Sequence, residues 1–132
     1  IKKFHDAKIE NKPFVTIWGS GQPKRELIFV DDLADACIHV MNYDLEGFRN
    51  CVSDMNSHIN IGTGKDITIS DLAKLIAHII EYNGEIRYDK LMPDGTMQKL
   101  LDVSLINRIG WKAKTDLVSG LKITYSEFLE NL

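Results

Sequence analysis

Apolar residues recur at helical spacing in three stretches of the 132-residue chain. Behind Asp31 and Asp32, the positions Leu33, Ala36, Cys37, Val40 and Met41 follow i, i+3, i+4, i+7, i+8. That spacing predicts a helix with a buried stripe and acids in its first turn. Leu72, Leu75, Ile76, Ile79 and Ile80 repeat it behind Thr68 and Asp71, a T-x-x-D form of the capping box. Leu117, Leu121, Thr124 and Phe128 predict a last helix starting near Thr115. Residues 1–12 read as the tail of a helix ended by Pro13, because the residue before a proline is pushed out of helical geometry. Ser104–Arg108 reads as a short helical turn closed by Gly110.

Short β-branched or aromatic runs between these helices predict strands at Phe14–Trp18, Leu27–Val30, Ile59–Ile61, Ile67–Thr68 and Glu85–Tyr88. Gly19-Ser20-Gly21-Gln22-Pro23 is a turn by composition, as is the stretch around Pro93-Asp94-Gly95, and residues 44–57 are the most loop-like part. The expected fold class is a small α/β domain over residues 1–132, with helices packed on short strands and no internal linker.

A hydrophobic content of 44% and a charged content of 27% exclude general disorder. Sixteen Lys and Arg against nineteen Asp and Glu give a net charge of −3, which argues against nucleic acid as a partner. The charge is uneven, however. Residues 1–25 carry six cations and two anions, and the rest ten against seventeen. A basic end on an acidic protein suits a small polyanion better than a duplex. Cys37 and Cys51 are too few for a disulfide framework and are expected to be reduced thiols in a cytoplasmic protein. No apolar run approaches the roughly 20 residues of a membrane span, so no membrane partner is expected. The chain opens on Ile1, already inside a helical pattern, and reads as a fragment of a longer protein.

The inventory for chemistry is thin. There is no Gly-x-Gly-x-x-Gly or P-loop, no tyrosine with a lysine four residues on, and no HExxH, so no catalytic residue and no metal site is assigned in this chain. His5, His39 and His78 fall at helical positions and read as surface or interfacial; His58 precedes a strand candidate. Cys37 reads as core, Cys51 as a loop residue, and Trp111 as packing for the short helix. Asp31 and Asp32 read as N-capping the helix they precede rather than as a metal or acid–base pair. The segment from Trp18 to Glu26 is the most informative. Its glycines permit close approach to a ligand, Arg25 can grip a phosphate with two parallel hydrogen bonds, and Trp18 offers a flat face to a base or sugar. A tight turn with a core tryptophan and a surface arginine fits the same residues.

The runs WGSGQPKRELIFVDDLADA, INIGTG (59–64), PDGT (93–96), KLLDVS (99–104), Gly110-Trp111 and Leu117-x-x-Gly120-Leu121 resemble the C-terminal part of the GDP-L-fucose synthases. These are NADP-dependent GDP-4-keto-6-deoxymannose 3,5-epimerase/4-reductases, within the extended short-chain dehydrogenase/reductases and the NAD-dependent epimerase/dehydratase family. The first two motifs are general to that superfamily; PDGTxxKLLDVS draws the resemblance toward the fucose synthase branch. It implies a small C-terminal substrate domain, with the Rossmann domain that binds NADP(H) and carries the catalytic residues absent from this chain. It also implies GDP-sugar contacts at Lys3, Trp18, Arg25, Asp94 and Lys99. Met97 and Gln98 stand where the family has a proline and an arginine. The expected partners are a GDP-sugar and the missing Rossmann domain, in a parent enzyme that is a homodimer. The chain alone is expected to be inert. Another nucleotide-sugar epimerase or dehydratase, or a free-standing nucleotide-sugar-binding domain, are the alternatives.

Overall fold

Phe14–Trp18, a run of β-branched and aromatic residues, forms strand β1 and pairs in parallel with β4, Glu85–Asp89. The register runs from Phe14 opposite Glu85 to Trp18 opposite Asp89. The computed structural model that shows this describes residues 1–53 and 55–132. Its element order is α1 (Lys2–Ile9), β1, β2 (Lys24–Glu26), α2 (Val30–Asn42), α3 (Leu45–Cys51), β3 (Asp66–Thr68), α4 (Ile69–Ile80), β4, β5 (Gln98–Lys99), α5 (Ser104–Arg108) and α6 (Leu117–Glu130). This is the α/β composition expected, with six helices and short strands among the described residues. The chain divides into two compact units: Ile1–Arg25 with Asp66–Lys99 and Val118–Leu132, and Glu26–Lys65 with Leu100–Leu117.

In the first unit, Phe4 and Ala7 of α1, Val15 of β1, Ala73, Ala77 and Ile80 of α4, and Tyr82 form one buried cluster. Phe4 meets the Tyr82 ring edge-on with centroids 5.7 Å apart, and the Tyr82 hydroxyl donates to the Lys12 carbonyl at 3.0 Å. Helix α4 starts at the expected capping pair: Thr68 Oγ1 accepts from the Asp71 amide at 2.9 Å and donates to Asp71 Oδ2 at 2.8 Å. It ends at Glu81 in the left-handed region, with the Lys8 ammonium donating to the Ile80 carbonyl at 2.7 Å. The buried stripe is Ala73, Ala77 and Ile80 rather than the bulkier Leu72, Leu75 and Ile79, which are half-buried.

The second unit has its core in Ala36 of α2, Ile106 of α5, Ile109 and Trp111. Here α2 is rotated from the stripe its apolar residues predict. Ala36 is fully buried, whereas Leu33, Cys37 and Met41 are exposed, so Cys37 is not a core thiol. Two acids set the rotation. Asp32 is buried and its Oδ2 accepts from the Lys114 and Thr115 amides at 3.1 and 2.8 Å. Asp35 Oδ2 accepts from the Trp111 indole at 2.9 Å and from the Lys114 ammonium at 3.1 Å. A buried carboxylate has to be satisfied, and these bonds require the Asp32–Asp35–Ala36 face to turn inward. Asp31 and Asp32 therefore lie in the first helical turn without capping it; Phe29 is the N-cap and offers no side-chain bond.

Three further expectations are corrected. Leu27–Val30 is not a strand: β2 sits three residues earlier, and Val30 already begins α2. Ile59–Ile61 is in no ladder. The loop-like stretch 44–57 contains α3, whose N-cap Asp44 accepts from the Gly47 amide at 2.6 Å; position 54 lies outside the described residues. All four methionines, Met41, Met55, Met92 and Met97, stand exposed. Among the described residues no helix is long and apolar enough to cross a membrane.

The rotation of α2 is tested by Ala36→Leu against Met41→Ser. The first is expected to destabilise by about 1–3 kcal/mol through overpacking, and the second to stay within about 0.5 kcal/mol, by urea unfolding. Equal costs would restore the other stripe. The Asp35 carboxyl is held below its ordinary 3.8 by the Trp111 indole first and the Lys114 ammonium second. A carboxyl depressed on folding stabilises above its unfolded pKa and loses that contribution as pH falls through the folded value. Asp35→Asn is thus expected to lower stability at neutral pH, with the difference closing as the medium is acidified below 3.8, as read by Trp111 fluorescence in unfolding titrations.

Candidate functional site

Where β1 ends at Trp18, the chain reverses through residues 19–23 into β2. Gly19 and Gly21 both take φ of +76°, a left-handed conformation that side chains disfavour. Sterics add to this: a Cβ on Gly19 would come within 2.2 Å of Asp94 Oδ1, and one on Gly21 within 2.5 Å of the Tyr88 ring. The turn's carbonyls face the start of α4, Gly21 accepting from the Ser70 amide and Pro23 from the Ile69 amide, each at 2.9 Å. Ser70 Oγ and the Tyr88 hydroxyl, 2.7 Å apart, close the contact beside Gly21.

The opposite side of the turn is held by the segment that follows β4. Asp94 Oδ1 accepts from the Ser20 amide at 2.8 Å, and Oδ2 from the Ser20 hydroxyl at 2.6 Å. Ser20 Oγ in turn accepts from the Gln22 amide at 3.1 Å. The Asp94 carboxyl is pulled below its ordinary value by the Ser20 hydroxyl first and the Ser20 amide second, against a smaller desolvation cost. Further along, the Met97 carbonyl accepts from the Lys24 amide at 2.7 Å. From there β5 runs parallel to β2, with Lys24 opposite Gln98 and Arg25 opposite Lys99, in the sheet order β3-β2-β5.

Parallel register puts the Arg25 and Lys99 side chains on the same face of adjacent strands, whose backbones lie about 4.8 Å apart. Arg25 is half-buried, and its Nη1 donates to the Lys24 and Thr96 carbonyls at 2.6 and 2.7 Å. Among the described hydrogen bonds, Nε and Nη2 make none. Lys99 is exposed, and Trp18 is 70% exposed at the mouth of the turn rather than in the core. Lys3 stands apart on α1, where its ammonium donates to the Thr16 carbonyl of β1, two residues before Trp18. Gln98 turns its amide to Asp66 Oδ2 at 2.5 Å. The structure thus gathers Arg25, Lys99 and Asp94 about two facing segments, sets Trp18 at their edge, and leaves Lys3 apart on α1, bonded to the strand that leads to Trp18. Two cavities, of about 720 Å³ beside His39 and Trp111 and about 590 Å³ beside His78 and Tyr82, hold none of these five residues.

Sequence reasoning missed two residues. Ser20 carries both bonds to Asp94, and a hydroxyl framed by two glycines was the signal available. Glu26 organises the INIGTG loop: its Oε1 accepts from the Thr63 and Gly64 amides, both at 2.6 Å, and its Oε2 from the Leu101 amide at 2.9 Å. A Cβ on Gly62 would come within 2.4 Å of Glu26 Oε1. These amides are the kind that cradle a phosphate, but a carboxylate already fills the cradle. The Gly19–Gly21 turn leads into a strand, so it offers no helix N-terminus to a diphosphate. Neither glycine loop fits a dinucleotide cofactor. Among the described residues no group of three or more His, Cys, Asp or Glu could hold a metal ion.

Residues 1–62 match the NAD dependent epimerase/dehydratase family. The GDP-L-fucose synthase of Escherichia coli (strain K12) is 47% identical over 131 residues, covering 99% of this chain and 41% of the relative. Among solved structures, MlghC, a GDP-mannoheptose C4 reductase from Campylobacter jejuni with NADP bound, aligns with a TM-score of 0.84 at 37% identity, over 97% of this chain and 42% of its own. A GDP-6-OMe-4-keto-L-xylo-heptose reductase from C. jejuni reaches 0.89 at 32% identity, over 99% of this chain and 46% of its own. The chain therefore spans less than half the length of each of these relatives. Sequence and fold agree: this is an α/β chain similar throughout its length to a part of the GDP-L-fucose synthases and of the two GDP-sugar reductases.

Proposed function

We propose that these residues are the GDP-sugar-binding part of an NADP-dependent GDP-4-keto-6-deoxymannose 3,5-epimerase/4-reductase, the enzyme that makes GDP-L-fucose. The observation that carries this reading is the register pairing of Arg25 with Lys99. Like charges directly opposite one another on a sheet are unfavourable, and a diphosphate between them turns that repulsion into attraction. Arg25 is prepared for the task, since the Thr96 and Lys24 carbonyls hold Nη1 and leave the far edge of the guanidinium for a bidentate grip. Lys99 adds a point charge, Trp18 a stacking face for the base or sugar, and Lys3 a further cation near β1. Asp94, an acceptor, is suited to hydroxyl or base N–H groups rather than phosphate.

The chain's contribution in this reading is positioning: binding energy from the GDP holds the 4-keto sugar where epimerisation at C3 and C5 and reduction at C4 take place. The acid–base groups and the nicotinamide cofactor of those steps belong to a Rossmann domain outside these residues, in a homodimeric parent. A second reading keeps the site and changes the sugar. It is favoured by the two heptose reductases, whose folds match at TM-scores of 0.84 and 0.89.

Calorimetric titration of the 132-residue chain with GDP and UDP tests the site. GDP is expected to bind more tightly than UDP, and Arg25→Ala to weaken GDP by about 10- to 100-fold, as for a charge-assisted hydrogen bond. Equal binding by Arg25→Ala and the wild type would remove Arg25 from the site, and equal binding of the two nucleotides would remove the guanine preference. With GDP-4-keto-6-deoxymannose and NADPH the chain is expected to oxidise no NADPH. Turnover would overturn the division of labour proposed here.

A further inference from the structure

We infer that Gln98 is a positioning residue: its side-chain amide, tied to Asp66, straps the edge strand β5 across β2 and so aims the Lys99 ammonium. This rests on the reading of Lys99 as a diphosphate contact and names what holds that cation in place. Gln98 Nε2 donates to Asp66 Oδ2 at 2.5 Å, and a carboxylate acceptor makes such a bond stronger than one between neutral groups. The two residues stand on the outer strands of the sheet, in the order β3-β2-β5. Neighbouring strands lie about 4.8 Å apart, so this bond bridges roughly 10 Å of sheet over the middle strand.

Strand β5 is weakly held by its own backbone. It is two residues long, both exposed, at the rim of the sheet, and residues 91–97 before it lie in no helix or strand. Its ladder consists of the pairs Lys24–Gln98 and Arg25–Lys99, entered where Met97 O accepts from the Lys24 amide at 2.7 Å. The second pair sets two cations side by side, and their repulsion pushes β5 off β2 when no anion is bound. The strap opposes that push from the other face of the sheet, since successive side chains on a strand alternate. Asp66 is itself well founded: β3 runs directly into α4, whose Ala73, Ala77 and Ile80 are buried in the core of the first unit. Lys99 is thus positioned before any ligand arrives, which lowers the ordering cost of binding. Arg25 needs no such strap, because it stands half-buried on the middle strand with Nη1 bonded to two carbonyls.

The bond has a donor on one side and an acceptor on the other, which permits an exchange. In Gln98→Glu/Asp66→Asn the amide and the carboxylate trade places at unchanged net charge, so the strap re-forms; Gln98→Glu alone sets two carboxylates against each other. The test uses the 132-residue chain with Gln98→Ala, Gln98→Glu, the exchanged pair, Lys99→Ala and Gln98→Ala/Lys99→Ala. Each is titrated calorimetrically with GDP, and without ligand the exchange rate of the Lys24 amide is read by NMR. That amide bonds to Met97 O and reports the docking of β5. Gln98→Ala is expected to speed Lys24 exchange and to weaken GDP about fivefold. In the Lys99→Ala background the same change is expected to cost nothing further, because Gln98 acts through Lys99. Gln98→Glu is expected to bind no better than Gln98→Ala, and the exchanged pair to return to within about twofold of the wild type.

Additive losses from Gln98→Ala and Lys99→Ala, or an exchanged pair as weak as Gln98→Glu, would overturn the strap. If Lys99→Ala weakens GDP but Gln98→Ala leaves Lys24 exchange unchanged, the strap fails and the nucleotide reading stands. If the wild type binds no GDP while Gln98→Ala speeds Lys24 exchange and the exchanged pair restores it, the nucleotide reading fails and the strap stands.

Discussion

The parallel pairing of β1 with β4 is the constraint from which the candidate site follows. It sets Trp18 opposite Asp89, so the two strands end level and the segments leaving them run side by side. The Gly19 amide continues the ladder by donating to the Asp89 carbonyl at 2.9 Å. From that point residues 19–25 and 90–99 are committed to travel together, first through side-chain bonds at Ser20, then through Arg25 and Lys24, and finally as the β2–β5 ladder. The adjacency of Arg25 and Lys99 is thus a register effect. A slip of one residue would move one of the two cations to the opposite face of the sheet.

Much of the secondary structure was legible because its signals were local. The Thr68–Asp71 pair announced α4, the β-branched run announced β1, and Gly110, with φ of +94°, marked the end of the Ser104 turn. What the pattern misread was orientation. On α2 a purely apolar count chooses the face with Leu33, Cys37 and Met41, whereas two acids bonded to Lys114, Thr115 and Trp111 select the neighbouring face. Those partners lie about 80 residues away in sequence, so no local window contains them. On α4 the small residues Ala73 and Ala77, weak in any hydrophobicity count, are the ones that allow close packing. Helix α3 was hidden because its seven residues bury no side chain completely.

The candidate site was legible as a set of residue types and illegible as an arrangement. Trp18 and Arg25 were singled out by a glycine turn next to a cation, and Asp94 and Lys99 by resemblance. That Arg25 and Lys99 share a sheet face, and that Asp94 faces Ser20 across 74 residues, are facts of long-range pairing. Gln98 illustrates the same limit. Its exchange for an arginine reads as a weakened basic rim, yet its amide is directed to Asp66 on β3. The glycines of INIGTG look like a ligand loop in sequence, and only the fold shows Glu26 occupying it.

The exposure of all four methionines has a chemical consequence. A thioether converted to its sulfoxide becomes polar and chiral, which disrupts a core but adds little at a position already facing water. Because Met41, Met55, Met92 and Met97 are all at the surface, peroxide reaches every one of them without any opening of the fold. The clusters around Ile80 and Ile106 contain no thioether to lose. This chain therefore carries its thioethers at the surface and none in either core, where the free thiol of Cys51, packed against the second cluster, is the sulfur nearest the interior. Met97, bonded through its backbone to Lys24 and two residues from Lys99, places one of those sulfurs at the rim of the cationic pair.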